Sequence, residues 1–368
     1  MLDHSTSHSG RGGSVAAVCA TSLRIFPDPS LSGKFSPWTN ARSYSSRVRA
    51  FLISELDGRV ETRVTERPEP LGEVVIDVVW SALNYKDALV VEPASRVRRS
   101  RELVGGVEAI GVVRSSSALE LGTLVIVYGG DLGTGSDGGF AERMAAPLRY
   151  VTPLPQGTEP EIAIAMGLAG YTAMASIRAL EQYGLRASDG EVLVTGASGG
   201  VGSLAVSLLA RLGYRVVAST GSPEHSDWLQ SIGARRCIGR EDISDLPQRT
   251  LGSPRWAGAI DCIGGATLEQ VLRSLNYSSA VAVSGLVAGN QVSSSIYPFI
   301  TRNVAMLGID AVETPTNQRL AIWKDLAGLL SPTDLRLIET TIGLEGIDHG
   351  LATIKAGNTR GRWLVEPR

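Results

Sequence analysis

The sequence predicts an α/β protein in two parts: a β-rich unit at about residues 48–165, then an alternating helix–strand unit at about 166–305, with residues 306–368 returning to the first unit. Three observations lead there. From Val48 to about Ala165 the chain reads as short apolar or alternating runs, RAFLIS, GEVVIDVVW, AIGVV and TLVIV, broken by glycine and proline. From about Met166, strand-like runs near 191–195, 214–218, 258–262 and 280–284 alternate with stretches of helical period. After about Tyr297 come RNVAMLGID, a helical stretch around Arg319 to Leu330, and a closing strand-like GRWLVEP. A chain of 368 residues exceeds one typical core, which also favours two domains.

Composition excludes several classes. With 43% apolar and 20% charged residues and a formal charge of −2, the chain has no general attraction for nucleic acid or anionic membranes. No apolar run in the sequence approaches the ~20 residues of a bilayer span. Small-molecule partners are therefore expected. Cys19, Cys237 and Cys262 are too scattered for a disulfide framework or metal cluster, and a reducing cytoplasm is the expected setting. Residues 1–47, rich in Ser, Pro and Gly and without periodicity, are expected to be a disordered extension. A presequence or a mis-called start are the alternatives for them.

The most informative stretch is Glu191 to Gly202, EVLVTGASGGVG. Gly196, Gly199 and Gly202 make a G-x-x-G-x-x-G turn, where backbone must approach a pyrophosphate with no side chain in the way, at the start of a helix. The context is complete. Val192, Leu193 and Val194 read as a buried strand, and Val201, Leu204, Ala205, Leu208, Leu209 and Leu212 recur at helical spacing up to Gly213. Tyr214 to Ala218 then supplies the second strand of a βαβ unit, so a Rossmann dinucleotide site is expected. An NAD site usually has an acidic residue about 20 residues beyond the glycines. Here that place holds Ser219, Thr220, Gly221 and Ser222, with no carboxylate to repel a 2′-phosphate. NADPH is the expected cofactor, with Arg235 or Arg236 as charge partner from the next loop.

The candidate catalytic segment is Ser81 to Leu89, SALNYKDAL. Read alone, it is either a strand end turning into a helix with Asn84 as cap, or a cluster of polar groups at a site. Its order with the parts that follow, GYTAM at 170–174, the glycine loop and AIDCIGG, resembles the zinc-free branch of the medium-chain dehydrogenases/reductases. Within it the chain is most similar to the acrylyl-CoA reductase group, whose members are often called quinone oxidoreductases. The resemblance runs from about Val48 to Val365 and also rests on MGLAGYTAM (166–174), GYRVVASTG (213–221), SGLVAG (284–289), PFITRNVAMLGID (298–310) and GRWLV (361–365).

The resemblance implies a GroES-like β-rich catalytic domain beside a Rossmann NADPH-binding domain. It implies that Tyr85, with Asn84 and Lys86, forms the catalytic corner by the nicotinamide, and that Ser198, Gly199, Gly200 and Val201 hold the pyrophosphate. Thr220, Gly221 and Ser222 correspond to the 2′-phosphate segment, and Thr172, Ile263 and Leu286 to the nicotinamide contacts. It also implies a homodimer. The chain departs from the family at Ser222, where arginine is common, and at Gly105 to Gly111, which lacks a proline and an aromatic of the substrate cleft. The loop Glu92 to Arg101, with arginines at 96, 98, 99 and 101, is either a solvated face or a contact for CoA phosphates. Zinc is not expected: Val107 stands at the histidine position of metal-dependent cousins, and no cysteine lies between 20 and 236. The expected reaction is hydride transfer to the β-carbon of a short 2-enoyl-CoA, the enolate being stabilised by Tyr85, Asn84 and Lys86. The alternatives are quinone reduction and a non-catalytic NADPH-binding role.

Overall fold

A computed structural model describes residues 47–245 and 249–368. Apart from Arg47, which opens the first strand opposite Pro68, the expected N-terminal extension lies outside the described residues. The strands of the first part are β1 (Arg47–Leu56), β2 (Arg59–Pro68), β3 (Val74–Leu83), β4 (Glu102–Val104), β5 (Glu108–Ser116), β6 (Leu124–Tyr128), β7 (Arg143–Ala146) and β8 (Val151–Pro153). Then come β9 (Glu191–Thr195), β10 (Arg215–Ser219), β11 (Arg236–Ile238), β12 (Trp256–Asp261), β13 (Ala280–Val283) and β14 (Ala305–Gly308). The chain closes with β15 (Glu339–Gly343) and β16 (Arg362–Glu366).

These strands build three sheets. The order β2-β1-β4 is a small antiparallel sheet, while β15-β16-β3-β5-β6-β8, with β7 on β3, makes the larger β-rich sheet. Strand β16 runs antiparallel to β3, with Trp363 opposite Leu83, so the end of the described chain is built into the larger β-rich sheet beside Asn84. The third sheet is wholly parallel, in the order β11-β10-β9-β12-β13-β14. Its strands read as continuous apolar runs because helices cover both faces. Within this sheet the order is that of a doubly wound dinucleotide fold, and its switch point lies between β9 and β12. The expected division at 305/306 is corrected here: it falls inside β14, whose Ala305 pairs with Ala280 and whose Gly308 pairs with Val283.

Three helices position the cleft: α1 (Tyr85–Val90), α2 (Pro160–Tyr183) and α3 (Gly200–Arg211). Helix α2 is long and apolar enough to pass for a membrane span, a length that the sequence reading did not recognise. About 67% of its most apolar window is buried, against both sheets and α3, which accounts for its composition. It starts on Pro160, ends at Gly184 (φ 125°), and is broken at Gly167 (φ 49°, ψ −152°). Its core cluster joins Ala82, Ile110 and Tyr128 of the larger β-rich sheet to Val192, Val194 and Ile260 of the parallel sheet.

Candidate functional site

The glycine loop leaves β9 at Gly196 (φ 60°), where a Cβ would stand 2.8 Å from Ile263 Cδ1. At Gly202 a Cβ would overlap the Gly196 carbonyl oxygen, so the third glycine lets α3 pack onto the turn. Gly199 differs, since a Cβ there meets only the Gly196 oxygen, at 3.4 Å. It is the N-cap of α3 and supplies no side-chain cap, which leaves first-turn N–H groups for an anion. Ser198 and Gly200 flank it, half-buried, and Val201 packs on the core. The loop is braced from far along the chain. The Gly361 N–H donates to the Ser198 carbonyl at 2.8 Å, and a Cβ at Gly200 would stand 3.2 Å from Arg362 Cδ. Arg362 Nε is buried there without a hydrogen-bond partner. An orphaned guanidinium nitrogen beside an uncapped helix start fits a pyrophosphate.

At the far end of the loop, Thr220 is buried; its hydroxyl lies 3.3 Å from Ser198 Oγ and accepts from the Ser222 N–H at 3.1 Å. Arg236 is not free to join them, which corrects the expectation. Its guanidinium makes a two-pronged pair with Glu191, at 2.6 and 3.2 Å, and holds that carboxyl below its usual range. The cause is register: Arg236 is the first residue of β11 and its side chain reaches back to Glu191, the first residue of β9, whereas a nucleotide binds at the C-terminal ends of the strands. Arg240, just past β11, lies there instead. A Cβ on Gly221 would be 2.6 to 3.0 Å from its Nη2, Cζ and Nε, so the guanidinium covers Gly221. Sequence reading missed it, although it is the first cation after β11.

The opposite side of the loop carries the residues matched to the nicotinamide. Buried Asp261 accepts from Thr195 Oγ1 at 2.6 Å and from the Gly264 N–H at 2.7 Å, and burial raises its pKa. It thereby fixes Ile263 against Gly196. The Ala288 N–H donates to the Ile263 carbonyl at 2.8 Å, and Gly264 bridges to Gly289, which brings half-exposed Leu286 to the same place. Thr172 is 8% exposed on α2, and its hydroxyl donates to the Leu168 carbonyl at 2.7 Å. That proton is committed within the helix, so Thr172 can only accept from another group.

The Asn84 corner holds what sequence reading missed. Glu108, fully buried, accepts from Asn84 Nδ2 at 2.7 Å, Arg362 Nη2 at 2.6 Å and the Leu168 N–H at 2.6 Å. The last of these is the amide exposed by the break in α2, and a Cβ on Gly167 would overlap the Glu108 carboxylate. Asn84 Oδ1 in turn accepts from Arg362 Nη1 at 3.1 Å, and Nδ2 also reaches the Ala82 carbonyl at 3.3 Å. Both of its amide hydrogens are thus used inside the protein. Asn84 is a positioning residue rather than a donor to substrate, which corrects the role expected of it. Asp87, also buried, accepts from the Asn84 and Val107 N–H groups at 2.8 and 3.0 Å, and desolvation pushes its carboxyl up to about 7. An acid raised in this way favours folding below its ordinary pKa, and the gain is lost as pH rises through about 7.

Tyr85 and Lys86 are different. Among the described residues neither side chain makes a hydrogen bond or ion pair, and both are half-buried at the first turn of α1. Burial lowers the Lys86 pKa, with Arg99 nearby adding to the effect and Asp87, Glu313 and Asp310 opposing it. A signal for Glu108 and Arg362 was present: each is a charge that immediately precedes an apolar run, Ala109 to Val113 and Trp363 to Val365, and the two are of opposite sign. Among the described residues, no three His, Cys, Asp or Glu side chains are grouped to hold a metal ion.

Comparison with known proteins agrees with this geometry. Residues 70–156 match the alcohol dehydrogenase GroES-like domain family and residues 200–324 the zinc-binding dehydrogenase family. YhfP of Bacillus subtilis, a putative quinone oxidoreductase, is 40% identical over 300 residues, covering 81% of this chain and 91% of that protein. The acrylyl-CoA reductase AcuI of Ruegeria pomeroyi is 38% identical over 299 residues, with 81% and 91% covered. Among solved structures, Escherichia coli K-12 YhdH with bound NADPH matches with a TM-score of 0.83 and 37% identity, over 86% of this chain and 99% of that one. YhfP with NAD bound matches with a TM-score of 0.84 and 38% identity, over 88% and 100%. The chain belongs to the zinc-free medium-chain dehydrogenases/reductases, in the group of the acrylyl-CoA reductases and quinone oxidoreductases.

Proposed function

We propose that this protein is an NADPH-dependent reductase of the activated C=C bond of a short 2-enoyl-CoA, of the acrylyl-CoA to propionyl-CoA type. The observation that carries the reading is the division at the Asn84 corner, where Asn84 and Asp87 are committed to the fold while Tyr85 and Lys86 offer unshared donors. Bound NADPH supplies a hydride to the β-carbon; the π electrons of the C=C bond move toward the thioester carbonyl, and a proton completes the α-carbon. This chain's part is to hold and orient. Ser198 to Val201 and Arg362 Nε would hold the pyrophosphate, and Thr220, Gly221, Ser222 and Arg240 the 2′-phosphate. Ile263, Leu286 and Thr172 would wall the nicotinamide. The Tyr85 hydroxyl and the Lys86 ammonium would donate to the enolate oxygen as its charge grows, and Tyr85 or water would deliver the proton. A lowered Lys86 pKa favours this, because a more acidic ammonium is a stronger donor.

The test compares NADPH loss with acrylyl-CoA, with 1,4-benzoquinone and with no acceptor. Faster turnover of the thioester is expected. Turnover of the quinone alone would assign the protein to quinone reduction, as the name of YhfP has it, and no turnover of either would leave cofactor binding as the function.

We also propose a homodimer formed through the parallel sheet. Its outermost strand β14 is unpaired on one side among the described residues, and Met306, Tyr297 and Ile300 nearby are 49%, 53% and 68% exposed. An open strand edge with apolar neighbours is a template for a second copy. Light scattering should give twice the chain mass, and Met306→Lys should shift it toward the monomer. A cytoplasmic setting is proposed with it, supported by the bacterial source of the similar enzymes.

A further inference from the structure

The loop between α1 and β4 carries arginines at 96, 98, 99 and 101, and the structure separates them. Arg98 turns inward: it is 9% exposed, pairs with Glu55, and donates to the Val90 and Glu92 carbonyls at 2.5 and 2.9 Å. Around it the loop is stitched down. Ser95 Oγ accepts from the Val97 and Arg98 N–H groups, the Arg99 N–H donates to the Thr134 carbonyl at 2.6 Å, and the Arg101 carbonyl accepts from Glu55 at 2.7 Å. Arg96, Arg99 and Arg101 are exposed, and among the described residues their side chains make no hydrogen bond or ion pair. Three unpaired guanidinium groups on a loop pinned by Arg98, Ser95 and Thr134 are presented to solvent in advance, so less ordering is needed when an anion arrives.

Their position gives the anion a reason to be there. The Arg99 N–H bonds Thr134, and the neighbouring Gly133 packs on Gly106 and Val107, whose N–H donates to Asp87 next to Lys86, so the loop borders the catalytic corner. The Asp310 carboxylate is occupied by the Val312 and Glu313 N–H groups, at 2.7 and 3.1 Å. We infer that Arg99, with Arg96 and Arg101, docks the phosphate groups of a CoA thioester whose acyl end reaches Tyr85 and Lys86. This rests on the enoyl-CoA reading and names what separates that substrate from a quinone: only CoA carries phosphates for a guanidinium fork to grip.

The test measures kcat/KM for acrylyl-CoA and for acrylyl-pantetheine, which lacks the phosphates, on the wild type and on Arg96→Glu/Arg99→Glu. The ratio of the CoA to the pantetheine value should fall about 10- to 100-fold in the variant, through KM, as expected for lost charge-assisted contacts. Arg99→Lys should restore part of it. A ratio that moves less than about twofold, on the scale of ordinary exposed charges, would overturn the assignment. If the wild type reduces benzoquinone but neither thioester, it is the enoyl-CoA reading that fails. The loop is then judged by titrating adenosine 3′,5′-bisphosphate into the NADP+-saturated protein: binding lost in the double variant supports the phosphate site, and no binding to the wild type removes it.

Discussion

The glycine loop Gly196 to Gly202 and the corner Asn84 to Asp87 both lean on Gly361 and Arg362, yet they are held by different kinds of contact. The loop is positioned by backbone against backbone: Gly202 under the Gly196 carbonyl, and Gly361 on Ser198. The corner is positioned by buried charge, with Glu108 gathering Asn84, Arg362 and the freed Leu168 amide, and Asp87 gathering two more N–H groups. A backbone device fails by steric overlap and tolerates almost no side chain. A buried-charge device fails when one partner leaves the other unpaired. The first is therefore sensitive to size and the second to charge.

The largest effect is expected where the charge device is broken. Arg362→Met leaves Glu108 buried without its cation, and losing one member of a buried pair typically costs about 3–5 kcal/mol. Urea unfolding should show that loss, and Glu108→Gln/Arg362→Met should recover much of it. If the double variant is no better than the single, the pairing is not what holds the corner. Tyr85→Phe comes next: it touches no internal hydrogen bond, so stability should hold while kcat on acrylyl-CoA falls on the order of 10²–10³. Equal and small changes for acrylyl-CoA and benzoquinone would instead make Tyr85 a packing residue.

The backbone device is sharpened by a pair of variants. Gly202→Ala forces α3 off the turn and should destabilise by roughly 1–3 kcal/mol. Gly199→Ala should leave the melting temperature nearly unchanged and weaken NADPH binding alone, as calorimetry can show; a shared loss of stability would mean that the two glycines do the same job. The smallest effect is at the 2′-phosphate. Arg240→Gln should reduce the preference for NADPH over NADH by about tenfold, the worth of one charge-assisted contact. Arg236→Gln, which removes the Glu191 pair instead, should leave that preference in place.

Legibility in the sequence followed the same division. The loop could be read because a close approach of backbone is written as glycine at a fixed spacing, and parallel strands such as Val192 to Val194 are written as unbroken apolar runs. The β16 segment could be read because a short apolar run, Trp363 to Val365, is bounded by charged residues on both sides. The buried network could not be read in the same way, since Glu108 and Arg362 are 254 positions apart and no local pattern says that they meet. Arg236 was a reasonable choice by distance along the chain. It failed because strand direction, which the sequence does not display, put it at the end of the sheet away from the nucleotide. The boundary at 305/306 failed because RNVAMLGID suits the edge of either sheet.

The brace from Gly361 to Ser198 sets an order of assembly during translation. Strand β9, the glycine loop and α3 leave the ribosome before β16 has been synthesised, so the parallel sheet can begin to form with its anion-binding turn unsupported on one side. Glu108, already synthesised, waits longer still for its counter-charge. Arg362 then ties Asn84, Glu108 and the glycine loop together, so a chain that stops short of it has every motif of the cleft without the contacts that join them.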